Sequence, residues 1–161
     1  VKRDSGRLMQ IYLFIALLVL CFYQDVRFRG IHWVVFPLLL IGSFWVNDAW
    51  LWGDVFANVG FLVGSLLALT LYLSIKESRL VNITKGYFSW GDILFLIALA
   101  PLFAFRGYLI FFTFGTCITL LMHIVASLIK RQKTIPYAGY MAIVGIGFLV
   151  FQEQIQNYLS T

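Results

Sequence analysis

The stretch Ser89-Trp90-Gly91-Asp92 opens a long apolar run that continues from Ile93 to Leu99 and beyond. A carboxylate at the mouth of a membrane helix carries a desolvation penalty, so such an acid usually faces a polar cavity, a partner charge or a reaction. An earlier apolar run, Ile11 to Tyr23, ends in Gln24-Asp25-Val26-Arg27-Phe28-Arg29. Two acids at two helix mouths predict a single site, provided that both mouths lie on the same side of the bilayer.

The amino-acid composition is that of an integral membrane protein. The 161 residues are 61% hydrophobic and 12% charged, and the mean hydropathy is +0.91, whereas soluble domains carry about 25% charged residues. The net charge of +5 does not indicate nucleic-acid binding, because the basic residues occupy short gaps between apolar runs. They predict contacts with lipid headgroups. Cys21 and Cys117 lie inside apolar segments without a Cys/His cluster, so neither a metal site nor a cofactor is expected.

Six apolar segments approach the length of about 20 residues that crosses a hydrocarbon core. They cover residues 8–24, 31–47, 54–75, 91–105, 107–129 and 136–158. The run from Ile93 to Ile129 is divided at Arg106-Gly107, with Pro101 just before, because one helix of that length would measure about 55 Å against a core of about 30 Å. The sequence predicts an all-α polytopic membrane protein with six transmembrane helices, forming one domain over residues 1–161.

The distribution of Lys and Arg predicts the orientation, because cytoplasmic connections are enriched in both. The connections after segments one, three and five carry most of them: Arg27, Arg29, Lys76, Arg79, Lys85, Lys130, Arg131 and Lys133. The opposite side receives Arg106 and the basic N-terminal tail, which argues the other way. The count places the ends bearing Asp25 and Asp92 in the cytoplasm and both termini outside.

Other residues have simpler interpretations. Asp48 and Asp54 are expected to cap the third helix. His123, alone on an apolar background, is expected to bond a neighbouring helix. Small residues are expected to mark close helix contacts, at Gly60, Gly64, Gly115, Gly145 and Gly147. The connection from Lys76 to Trp90 is expected to be a mobile gate.

Three motifs in order resemble the prepilin peptidases and archaeal preflagellin peptidases, six-helix intramembrane aspartyl proteases of the GxGD type. Gly91-Asp92 enters a membrane helix, Asp25-Val26-Arg27-Phe28-Arg29-Gly30-Ile31 lies just past the first helix, and Ile135-Pro136-Tyr137-Ala138-Gly139 looks like the family's Ile-Pro-Phe-Gly-Pro segment. Departures are Ser89 in place of the first motif glycine, Leu94 in place of a common lysine, and Ala138-Gly139 in place of Gly-Pro. The cysteine-rich methyltransferase domain of bifunctional members is not expected.

The resemblance implies an endopeptidase of the cell (inner) membrane that removes leader peptides from pilin-like or flagellin-like preproteins at the cytoplasmic face. Asp25 and Asp92 would be its catalytic pair, because one ionised and one protonated carboxyl can activate water and polarise a carbonyl. The resemblance gives motif or substrate-binding roles to Ser89, Trp90, Gly91, Arg27, Arg29 and Pro136. Gly91, which lacks a Cβ, would let a substrate strand approach the backbone beside the acid. The oligomeric state is left open.

Plainer interpretations of the same residues stay open. Asp92 can be an N-cap of the fourth helix, and Asp25 can form an interfacial salt bridge with Arg27 or Arg29. Two other functions compete with proteolysis. A small proton-coupled transporter also uses paired acids, although it predicts them at mid-membrane depth rather than at helix mouths. A non-catalytic homologue acting as a membrane assembly partner is compatible with Ser89 and Leu94.

Overall fold

A helix forms at each of the six predicted positions. The computed structural model describes residues 2–78, 80, 88–129 and 135–159, and within these ranges every regular element is helical. The elements are α1 (Lys2–Phe28), α2 (Val35–Val46), α3 (Trp52–Glu77), α4 (Trp90–Leu99) with a 3-10 turn (Ala100–Leu102), α5 (Phe105–Ile129) and α6 (Tyr137–Leu159). Most of the expected gate between α3 and α4, Lys85 included, lies outside the described residues.

The apolar stretches within the helices fall into two length classes. Three are long and apolar enough to cross a membrane, over Gly6–Phe28, Trp52–Glu77 and Phe105–Leu128. The other three are shorter: Val35–Val46, Trp90–Leu102 and, within the 23-residue α6, Tyr137–Phe151. The predicted segment 31–47 is therefore too long, because α2 occupies only 12 residues, a rise of about 18 Å. The first helix is longer than predicted, so Asp25 lies within its last turns and not past its end.

The core is organised around a ring formed by α1, α2, α4 and α6, in which each helix packs on the next. α5 lies outside this ring against α6, and α3 packs on α5 and on the 3-10 turn. α1 faces the ring through one stripe of buried side chains at alternating spacings of three and four: Ile11, Phe14, Leu18, Cys21 and Asp25. This is the period of a helix face, so Asp25 points where the four preceding apolar residues point.

The end of α4 lies inside the protein, where carbonyl groups left by the broken helix need donors. Pro101 has no N–H group, so the preceding turn has one hydrogen-bond donor fewer for its carbonyl groups. Polar side chains of α2 and its end and of α3 supply the donors: Ser43 Oγ to Ala98 O (2.7 Å), Asn47 Nδ2 to Pro101 O (2.9 Å), and Asn58 Nδ2 to Ala100 O (2.8 Å) and Phe103 O (2.9 Å). These contacts hold the short helix α4 in place.

Two expectations about polar and small residues are wrong in part. Asp54 does not cap α3, whose N-cap residue, Leu51, makes no side-chain capping bond. Asp54 Oδ1 instead accepts a hydrogen bond from Phe105 N (3.2 Å) at the start of α5. Among the glycines, Gly115 marks a close contact, since a Cβ there would lie 2.7 Å from Met141 Sδ. A Cβ at the remaining positions would meet ordinary contacts (Gly145) or nothing within 4 Å (Gly60, Gly64, Gly147).

The helices are staggered along the bundle axis. Tyr137, the first residue of α6, contacts Thr116 in the middle of α5 through their hydroxyl groups. α5 then continues from Thr116 to Ile129, a further rise of about 20 Å. α3 runs parallel to α5, as the Asp54–Phe105 hydrogen bond and the Phe61–Phe112 ring contact show, and it also continues, to Glu77. The first turn of α6 is therefore recessed relative to the end of α5.

Candidate active site

Asp25 and Asp92 meet on two successive backbone amides at the start of α6. The Ala138 N–H donates to Asp92 Oδ1 (3.0 Å), and the Gly139 N–H donates to Asp25 Oδ2 (2.7 Å). Both carboxyl groups are buried, with 8% of Asp25 and 7% of Asp92 exposed. Free N–H groups in the first turn of a helix favour negative charge. Three helices that are distant in sequence thus build one acidic pair.

Gly139 makes this approach of α1 to α6 possible. A Cβ at this position would lie 3.1 Å from both Asp25 Cβ and Asp25 Oδ2, and 3.4 Å from the backbone oxygen of Phe22. Two of these atoms belong to the Asp25 side chain, whose carboxyl group the Gly139 amide binds, and the third belongs to backbone that cannot rotate away. The glycine in the Ile135–Gly139 segment therefore has a steric role in bringing Asp25 into the pair.

Ser89 holds the other carboxylate. It is the N-cap of α4, so the interpretation of Asp92 as an N-cap is wrong: Asp92 is the third helical residue and completes a capping box. The Ser89 N–H and Oγ–H donate to Asp92 Oδ2 at 2.9 and 2.8 Å, and Ser89 Oγ accepts from Asp92 N at 3.2 Å. Including the amide of Ala138, Asp92 receives three hydrogen bonds, and such bonds stabilise a carboxylate in its charged form.

The remaining predicted residues divide into those near the pair and those away from it. Arg29 adopts the left-handed φ of 57° just after α1, and its positive charge acts on Asp25. Pro136 is buried and its carbonyl accepts from Tyr140 N (3.0 Å), which begins α6. Arg27 is exposed, and 67% of Trp90 is exposed, so both side chains face away from the protein interior.

Gly91 lies beside Asp92 in open packing. A Cβ there would be 3.5 Å from Ser89 Oγ and 3.7 Å from Phe36 Cζ, both ordinary van der Waals distances. Packing within the described part of the chain does not require glycine at this position, in contrast to Gly139. The expected role of Gly91, a close approach by a substrate strand, is compatible with this space.

Tyr137 is a neighbour of the pair that the sequence interpretation did not assign. Its ring contacts Phe88 (centroids 4.9 Å apart), its hydroxyl lies 2.8 Å from Thr116 Oγ1, and its phenol is close enough to Asp92 for an electrostatic interaction. Tyr137 directly precedes the two amides that bind the carboxylates. Its position between Pro136 and the small pair Ala138-Gly139 was the only signal available in the sequence.

The arrangement suits proton transfer. The two carboxyl groups repel each other electrostatically, and two carboxylates in one low-dielectric site do not both ionise easily. The site therefore favours one carboxylate beside one carboxylic acid. No group of three or more His, Cys, Asp or Glu side chains that could hold a metal ion occurs within the described ranges. No protein-family model, curated protein or solved structure matches the chain.

Proposed function

We propose that this chain is an intramembrane aspartyl endopeptidase, similar to the prepilin and preflagellin peptidases, that cleaves leader peptides from type IV pilin-like preproteins at the cytoplasmic membrane face. The observation that carries the proposal is the seating of Asp25 and Asp92 on the adjacent amides of Ala138 and Gly139. The three motifs that suggested the family each contribute one part of this arrangement.

The chemistry requires one carboxylate and one carboxylic acid. Asp92, which receives three hydrogen bonds, is assigned the charge, and Asp25 is assigned the shared proton. Asp92 takes a proton from water as the water oxygen attacks the scissile carbonyl carbon, and Asp25 gives its proton to the carbonyl oxygen. When the C–N bond breaks, Asp92 returns its proton to the leaving nitrogen and Asp25 takes one from the tetrahedral diol. Both groups regain their starting state.

The proposal includes six membrane-embedded helices with the pair facing the cytoplasm. Its support is the apolar character of all six helices, three of them long, together with the Lys and Arg count of the connections. The short helices α2 and α4 need not reach both surfaces, because the polar side chains that bond the end of α4 replace the water it would meet there. The lipid bilayer and a pilin-like or flagellin-like preprotein are the expected partners.

The test is replacement of each carboxyl by its isosteric amide. Asp25→Asn and Asp92→Asn should accumulate and fold as the unmodified chain does, while cleavage of co-expressed pilin-like preproteins falls by about 100-fold or more, the usual contribution of general acid-base catalysis. N-terminal sequencing of the preprotein gives the cleaved bond. If either variant processes a genuine substrate at the unmodified rate, the protease proposal is wrong and an assembly partner without catalysis becomes the better account.

A proton-coupled transporter is kept as a second candidate because of one observation. The pair lies at helix mouths, but these mouths are recessed by about 20 Å from the end of α5. A transporter was expected to carry its acids at mid-membrane depth, and the recessed position weakens that objection to transport. Reconstitution in liposomes with an internal pH-sensitive dye separates the two functions. Proton flux that disappears in Asp92→Asn, without cleavage of any preprotein, would favour transport.

A further inference from the structure

The inward face of α5 changes character along its length. In its first half this face carries the buried aromatic residues Tyr108 and Phe111. In its second half the buried Thr119 continues this face, and the half-buried Thr116 and His123 lie beside it, three residues before and four residues after Thr119. Such spacings keep residues on one side of a helix. A polar stripe, Thr116–Thr119–His123, therefore continues an apolar one.

Two atoms of the polar stripe are buried without a hydrogen-bond partner among the described residues: Thr119 Oγ1 and His123 Nδ1. Thr119 is only 1% exposed, so its hydroxyl group reaches neither bulk solvent nor lipid headgroups that could bond it. Buried polar groups nearly always have a partner, and ordered water commonly supplies it where protein does not. Two such atoms one helical turn apart indicate a place for ordered water along this face of α5.

The stripe leads to the acidic pair. Thr116 Oγ1 lies 2.8 Å from the Tyr137 hydroxyl, and the next residue, Ala138, donates its N–H to Asp92 Oδ1 (3.0 Å). In the other direction α5 rises about 20 Å from Thr116 to its end, and His123 covers about half of that rise. A buried pair that hydrolyses a peptide consumes one water in each turnover, so its recessed position requires a route for water.

We infer that the Thr116–Thr119–His123 stripe lines a hydrated path that supplies water to Asp25 and Asp92 from the end of α5. The inference rests on the proposed function for its purpose, but the presence of water along the stripe can be tested without any cleavage. Thr116 and Tyr137 form the inner end of the path, beside the pair, and His123 forms the outer part.

Cysteine accessibility tests the path directly. The single variants Thr119→Cys and His123→Cys are made in a background with Cys21→Ala and Cys117→Ser and are treated in membrane vesicles with a small methanethiosulfonate reagent. The reagent reacts with a cysteine thiolate, which forms only where the cysteine is in contact with water. Leu121→Cys is the matched control, because Leu121 lies on the same stretch of α5 but is 62% exposed on its outer surface. Labelling at 119 and 123, with little at 121, is expected. No labelling at 119 and 123, or equal labelling at all three, would overturn the path.

Activity then tests whether the path serves the reaction. Thr119→Val and His123→Leu should slow preprotein cleavage several-fold without changing the amount of folded protein, and Thr119→Ser should retain the rate, because a hydroxyl remains. Wild-type cleavage by the first two variants would overturn the supply role. Failure of the protease proposal is recognised separately, since Asp25→Asn and Asp92→Asn would then leave cleavage unchanged whatever the labelling pattern.

Discussion

Replacing Gly139 with alanine tests the close packing of α1 against α6 at Asp25. The added methyl would lie 3.1 Å from Asp25 Cβ and Oδ2 and 3.4 Å from Phe22 O, so α1 must move by a few tenths of an ångström. The movement strains the hydrogen bond from Gly139 N to Asp25 Oδ2, now 2.7 Å. Gly147→Ala is the matched control on the same helix, since a Cβ there meets nothing within 4 Å.

The expected magnitudes differ for stability and for activity. Overpacking costs about 1–3 kcal/mol, and alanine returns about 1 kcal/mol of helix propensity, so the free energy of unfolding should fall by about 0–2 kcal/mol. A hydrogen bond to a neutral group, such as the protonated Asp25 of the proposed mechanism, contributes about 0.5–1.5 kcal/mol, so cleavage should fall by about 2- to 13-fold. Gly147→Ala should leave the cleavage rate unchanged.

The assay combines two measurements on each variant. Cleavage of a co-expressed pilin-like preprotein is followed on immunoblots over time, and thermal unfolding of each purified variant is followed in detergent. A Gly139→Ala variant that cleaves at the unmodified rate would refute the reasoning, because Asp25 would then not need its position against α6. Equal losses in Gly147→Ala would show that any added methyl on α6 disturbs the protein, which would also remove the argument.

Three further outcomes are expected. Asn58→Leu should lower the free energy of unfolding by about 2–5 kcal/mol in detergent, because two buried carbonyl groups lose their donor; a loss below 1 kcal/mol would mean that these bonds do not hold α4. Gly91→Ala should leave the unfolding temperature unchanged, since the methyl meets only ordinary contacts, while slowing cleavage; unchanged cleavage would remove the substrate-strand role. Cysteine at position 48 should react with an impermeant reagent added outside and cysteine at position 131 should not, and the reverse labelling would invert the proposed orientation.

The position of each acid on its helix was already present in the sequence. Ile11, Phe14, Leu18 and Cys21 repeat at helical spacing, and Asp25 is the next residue of that series. In the same way Asp92 stands three, four and seven residues before the buried Phe95, Leu96 and Leu99. A strict helical period would therefore have assigned both carboxylates to buried faces. The ends of the helices were less predictable, because the charged residues Asp25 and Arg27 follow Gln24 and yet continue the helix.

The sequence by itself determined the helical class, the six helix positions and the faces that turn inward, since all of these follow from hydrophobicity and its period. Tertiary structure alone decided how the pair is held and how deep it lies. The donors that hold Asp25 and Asp92 include the backbone amides of Gly139 and Ala138, which have no side-chain signature. The recessed position of the pair follows from the register between α5 and α6. Contacts across the two helices set that register, such as Gly115 against Met141 and Thr116 against Tyr137. No local pattern in the chain encodes such a register.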